Sequence, residues 1–152
     1  YFITGKSPVE SYGFWSSACP SLNLLFDVRE RGLDYDKIRL LTSQWRTVMP
    51  CYAGDFYPLI KATRDNSVWI AWQFDRPEQG DGIVQVFRRA GSAYESARLR
   101  LRGLEPGAHY RLTRLDQDGQ VEHPGAELLN SGLRVAMPER PQAAVIQYRR
   151  LP

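Results

Sequence analysis

The run Val68-Trp69-Ile70-Ala71-Trp72-Gln73-Phe74-Asp75-Arg76-Pro77-Glu78, with Gly54-Asp55-Phe56-Tyr57-Pro58-Leu59 just before it, decides how the rest of the chain is read. It is β-branched and aromatic, and turn residues from Asp75 to Gly82 close it, so it predicts a strand over 68–74. Successive strand side chains point to opposite faces. Trp69 and Trp72, three positions apart, therefore face opposite ways, one into a sheet core and the other toward a helix around Trp45.

Further strands are predicted downstream over 82–88, 94–102, 109–115, 133–137 and 143–149. Gly91-Ser92, Glu105-Pro106-Gly107, Asp116 to Gly119 and Pro138 to Pro141 supply the turns between them. The segment Gly125-Ala126-Glu127-Leu128-Leu129-Asn130-Ser131-Gly132 reads as a single helical turn with a glycine stop. Short strands about ten residues apart imply an antiparallel β-sandwich over 67–152.

Upstream, Leu22-Asn23-Leu24-Leu25-Phe26-Asp27-Val28 has the pattern of a strand buried on both faces. Asp34 then suits a helix N-cap, and Asp36 places negative charge in the first turn, where the helix dipole favours it. Ile38, Leu41, Trp45 and Val48 recur at helical spacing on one apolar face, and Pro50 stops the helix. A lone β/α unit cannot bury its own apolar surface, so residues 1–60 are expected to be cut from a larger layered structure. The chain opens Tyr1-Phe2-Ile3-Thr4, and its natural start is expected upstream. The polar stretch Lys61 to Asn66 marks the boundary, with Phe56, Tyr57 and Leu59 joining one part to the other.

The composition, 43% hydrophobic and 24% charged over 152 residues, is that of a globular protein. No window approaches the roughly 18 apolar residues of a membrane-spanning helix. The net charge of +3 invites a nucleic-acid reading. Yet Arg98, Arg100 and Arg102 alternate with Leu99 and Leu101, which makes a solvated strand face, and no aromatics interleave to stack bases. Cys19 and Cys51 read as packed thiols, and two histidines, His109 and His123, without acid or cysteine partners at ligand spacing argue against a metal centre.

Other phrases carry a family likeness: Phe26-Asp27-Val28-Arg29, Gln44-Trp45-Arg46, Phe87-Arg88-Arg89, Tyr94-Glu95-Ser96, Leu101-Arg102-Gly103-Leu104 and the glycine-bounded stretch from Gly125 to Leu133. In their order and spacing, with the two opening phrases, they make the chain resemble the C-terminal part of glycoside hydrolase family 36, the melibiase-like α-galactosidases. The resemblance implies an α+β fragment: the last β/α unit of a (β/α)8 barrel over 1–60, followed by an antiparallel β-sandwich domain over 67–152. It further implies a retaining hydrolase of α-galactoside oligosaccharides with no metal and no organic cofactor. Such chemistry needs two carboxyl groups about 5–5.5 Å apart. The aspartate motifs that supply them in the family are not found here, so no catalytic residue carries over and the isolated chain is expected to be inactive.

Under that resemblance, two residues are candidates for substrate binding, because barrel sites gather at the C-terminal ends of strands and in the loops beyond. Asp27 ends the expected last strand, and Trp15 lies in the preceding connection, where its ring offers a stacking platform. Their structural alternatives are an Asp27–Arg29 ion pair or helix cap, and a packing aromatic at Trp15. The pairs Asp34/Asp36, Asp116/Asp118 and Asp75/Glu78 sit at a helix start and in turns, where short acidic side chains serve the backbone. A free-standing carbohydrate-binding or structural sandwich is the competing reading. An open apolar patch at Ile38, Leu41 and Trp45 is the sign expected of a fragment. An oligomer is compatible with these residues, which assign no compartment.

Overall fold

The computed structural model describes residues 9–27 and 29–152. Two cores share one sheet. The sheet has six strands, β1 (Asp55–Pro58), β2 (Ile70–Arg76), β3 (Asp81–Arg88), β5 (His109–Arg114), β6 (Val121–Pro124) and β8 (Gln142–Arg150), in the order β1-β2-β3-β8-β5-β6. Every neighbouring pair runs antiparallel. A second, two-stranded sheet pairs β4 (Ser96–Leu99) with β7 (Leu133–Ala136).

Period-two alternation sorts the central strands between the two cores. Val84 and Val86 of β3, with Ala144, Ile146 and Tyr148 of β8, face a core completed by Leu99, Leu133 and Val135 of the small sheet. Leu128 of helix α3 (Gly125–Asn130) fills the same core. Ile83 and Phe87, with Ala143 and Val145, face the opposite way, onto helices α1 (Ser11–Ser17) and α2 (Tyr35–Val48). All eight residues of β3 are buried, since both of its faces are covered. Trp69 lies in the first core, while Trp72 packs beside Phe87 on the helix side at 5.0 Å, so the two indoles face opposite ways as their spacing predicts.

Helix α2 forms where its periodicity places it. Asp34 caps it by accepting from the Lys37 amide at 2.9 Å, and Ile38, Leu41 and Val48 are buried. Two expectations fail here. Ile38 and Leu41 are only 6% and 2% exposed and Trp45 is half-buried, so these three residues form no open apolar patch; the six-stranded sheet covers this face of the helix. The inference that this helix lacks a partner within the chain is thereby overturned. The strand expected over 22–28 is also absent: residues 22–27 alternate between half-buried and exposed with a single bridge at Leu25, and Val28 lies outside the described residues. A strand buried on both faces needs a neighbour along each edge. Here Leu22, Leu24 and Phe26 simply lay alternate side chains on the helical core.

The C-terminal strands lie close to their predicted places, with β4 shortened to Ser96–Leu99. Leu99 and Leu101 are buried, and Arg98, Arg100 and Arg102 are exposed, as the alternation requires. The second layer is thinner than a full sandwich, with two strands and α3 rather than a matching sheet. Strands β1 and β6 were not expected; both are four-residue edge strands whose outward positions are mostly exposed, which weakens any hydrophobic signal.

Candidate functional site

The expected chemistry depends on carboxylates. Asp34 caps α2 and Asp36 pairs with Arg39 at 2.7 Å. Asp116 holds Arg114 through two hydrogen bonds, at 2.7 and 2.9 Å. Asp27 grips Arg29 in the same manner, at 2.9 and 2.8 Å, with roughly half of its side chain open to solvent. The Arg29 guanidinium, helped by the Arg29 amide, holds the Asp27 carboxyl below its ordinary value. Trp15 is only 3% exposed, edge-on to Phe14 at 5.3 Å, in the core between α1 and the sheet. Asp27 and Trp15 thus lie on the helical side of the molecule, one at the surface and one beneath it.

Asp75 differs from the sequence reading. It belongs to β2 rather than to the turn, and is 3% exposed. The reverse turn starts after it, at Pro77 to Gly80. Register sets Asp75 opposite Gly82 of β3, and Gly82 opposite Tyr148 of β8. Having no side chain, Gly82 leaves a lane through which the Tyr148 hydroxyl crosses β3 and donates to Asp75 Oδ1 at 2.5 Å. Gln73 Nε2 donates to the same hydroxyl at 2.8 Å and to the Arg102 carbonyl at 2.7 Å, while Gln73 Oε1 accepts from the Arg102 amide at 2.8 Å. Gln73, fully buried, thereby stitches the segment after β4 onto β2.

Asp75 Oδ2 is buried and makes no hydrogen bond. It lies against the α-carbon of Gly103, whose φ of +75° and closeness leave no room for a β-carbon. Burial pushes the Asp75 carboxyl above its ordinary value; the Tyr148 bond opposes this, and Asp55, Asp81 and Glu78 add to it. A carboxyl in this setting favours its neutral form. It is hydrogen-bonded to Tyr148, and register sets Asp55 of β1 directly opposite it, the two lining one cleft with Glu78.

Two further buried polar groups also escaped the sequence reading. Gln85 accepts from the Trp72 indole at 2.7 Å, and Arg88 donates to the carbonyls of Met137 at 2.7 Å and Pro138 at 2.6 Å. Nothing in the local pattern marks them, since their partners come from other elements. Beside Trp72, a mostly apolar cleft of about 270 Å³ opens between Pro20, Tyr52, Phe56 and Phe74. Phe56 stands 56% exposed at its rim. Of the cysteines, Cys51 is buried as expected and Cys19 is exposed. His123 of β6 meets Glu127 of α3 at 3.1 Å, a partner the residue spacing did not predict. Among the described residues no group of three or more His, Cys, Asp or Glu is placed to hold a metal ion.

The described residues form a small, mostly antiparallel sheet domain with two cores. The family model for the glycosyl hydrolase family 36 C-terminal domain matches residues 69–147, more than half of the chain, and the chain belongs to that family. No curated protein sequence matches it. Among solved structures, the α-galactosidase AgaB from Geobacillus stearothermophilus shares 25% identity at a TM-score of 0.59, over 78% of this chain and 16% of that one. The galactosidase domain of the α-galactosidase-sucrose kinase AgaSK shares 25% identity at a TM-score of 0.56, over 76% of this chain and 15% of that one. The α-galactosidase AgaA from Geobacillus stearothermophilus has a TM-score of 0.67 at 20% identity, over 84% of this chain and 17% of that one, a likeness of fold. The chain thus spans about one sixth of the length of these proteins.

Proposed function

We propose that this chain is the C-terminal portion of a retaining α-galactosidase-like glycoside hydrolase, in which residues 67–152 form a domain that braces a catalytic barrel. The family match over residues 69–147 carries this reading. Residues 1–60 then supply the end of the barrel, with α2 as its last helix. The substrate class is α-galactoside oligosaccharides; substituted variants of AgaA have been solved in complex with raffinose and with stachyose. Asp27, exposed, and Trp15, buried in the helix-side core, are the chain's candidates for the sugar-facing side, and the cleft rimmed by Phe56 is its candidate bracing surface. The chain alone is inactive in this reading, because the aspartate pair lies outside it. The test has two arms. A chromogenic α-galactoside is offered to the 152-residue chain, for which no turnover is expected, and to a polypeptide extended upstream in the same reading frame, for which turnover is expected. Turnover by the chain alone, or an upstream frame without barrel strands, would overturn the proposal.

One observation favours a second reading, a self-sufficient structural or carbohydrate-binding module. The apolar stripe of α2 is already covered by the sheet, so the chain closes its own cores. Saturable binding of neutral galacto-oligosaccharides by the chain alone would support that alternative.

A further inference from the structure

On the helix-side face of the sheet, past the end of α2, five charged residues occupy one cross-strand row. Register places Arg76 opposite Asp81, Asp81 opposite Arg149, Arg149 opposite Arg111, and Arg111 opposite Glu122. Both oxygens of Asp81 are taken by Arg76, at 2.8 and 2.7 Å. Arg111 spends Nε and Nη2 on a single oxygen of Glu122, at 3.1 and 2.9 Å. The row therefore holds three guanidinium groups against two carboxylates, and the unmatched one is Arg149. Its side chain is exposed and has no hydrogen-bond or ion-pair partner among the described residues.

Adjacent strands lie about 4.8 Å apart, so Arg149 and Arg111 stand as directly opposed like charges, an arrangement that destabilises a sheet unless an anion lies between them. The next row inward, Thr113 and Gln147, is neutral, and its side chains make no hydrogen bond among the described residues. Thr113 opposes Gln147, and Gln120 lies beyond them with Thr47 at the helix end. Together these residues wall a mainly polar cleft of about 350 Å³. Guanidinium forks suit the paired oxygens of a carboxylate or phosphate, and the amides and hydroxyls suit the hydroxyl groups of a ligand body.

We propose that this cleft is a binding site for one oxyanion, a carboxylate or a phosphate monoester, carried on a hydroxylated small molecule, with Arg149 as its principal anchor and Arg111 as its second. The inference is independent of the hydrolase reading, since it uses neither Asp27 nor Trp15 nor any barrel residue.

The test titrates the 152-residue chain with inorganic phosphate, glucose 6-phosphate, galacturonate and neutral galactose, following Arg Nε–H resonances by NMR. The expected result is a saturable shift at Arg149 and Arg111 with phosphate-bearing probes, with galacturonate, or with both; which of them binds identifies the source of the oxyanion. Galactose is expected to bind at least about tenfold more weakly, the worth of one charge-assisted contact. Arg149→Gln is expected to weaken anion binding about tenfold, while Arg100→Gln, on an exposed stretch elsewhere, leaves it unchanged. A structural role for Arg149 is distinguished by melting. Without anion, Arg149→Gln should melt close to the parent, because Arg149 faces the like charge of Arg111 on one side and Asp81, already held by Arg76, on the other, and anion should no longer raise its Tm. Absence of a saturable shift, equal loss in Arg100→Gln, or a lowered Tm in anion-free Arg149→Gln would overturn the site.

Discussion

The Tyr148 hydroxyl reaches Asp75 at 2.5 Å by passing over Gly82, a residue whose only structural asset at this point is the side chain it lacks. Three strands are thus tied by one hydrogen bond, and the closeness at Gly82 predicts its mutational cost. A β-carbon at Gly82 meets the Tyr148 ring and the Phe74 carbonyl together. Gly82→Ala should destabilise the chain by about 3 kcal/mol, the upper range for overpacking a core. Urea unfolding checks this; a loss under about 0.5 kcal/mol would mean the lane does not exist.

Tyr148→Phe tests the bond without the clash. Deleting the hydroxyl leaves Asp75 Oδ1 and one Gln73 donor buried and unmatched. A cost of about 1–3 kcal/mol is expected, as for other buried polar groups left unsatisfied. The same unfolding measurement reads it, and an unchanged midpoint would show that water satisfies both groups.

Asp75→Asn tests charge. The folded carboxyl titrates above its ordinary value of 3.8 because of burial, so the folded chain holds this proton more tightly than the unfolded chain does. Its contribution to stability is therefore full below the unfolded value and is lost as pH rises through the folded one. Asp27 and Asp65, both held low, act in the opposite sense and lose their contributions as pH falls. The difference between wild type and Asp75→Asn isolates the Asp75 contribution. Relative to the variant, wild type should lose stability as pH rises from about 4 toward neutrality. A difference independent of pH would overturn the assignment.

The two thiols should separate kinetically. Cys19 is exposed, whereas Cys51 is 1% exposed and burial raises its thiol to about 11. A disulfide reagent at pH 8 should therefore titrate one thiol rapidly and the second only on unfolding, since thiolate fraction and access both govern the rate. Two equal fast phases would contradict the packing around Cys51.

What could be read beforehand follows from the range of the interactions. Helix α2 was legible because its cap at Asp34 and its stripe from Ile38 to Val48 are local patterns. The central strands were legible because continuous apolar stretches bounded by turn residues are local as well. The Asp27–Arg29 pair, two residues apart, was equally within reach. Asp75 was misread as a turn residue because Arg76-Pro77 follows it, and the partner that draws it inward, Tyr148, lies 73 positions away. The strand expected over 22–28 failed for the converse reason, since an apolar run does not state how many neighbours it will find. The charged row through Arg149 depends on the registers of five strands and could not be seen in any one of them.

The sharing of β3 between two cores bears on how the molecule comes apart. Ile83 and Phe87 anchor the helical layer, while Val84 and Val86 anchor the small sheet, all on one strand. Neither layer can detach without exposing alternate residues of the same backbone, so opening of one undermines the other. The amide protons of β3 should then be the slowest in the chain to exchange with solvent deuterium, and should do so at the rate of complete unfolding rather than through a partial opening.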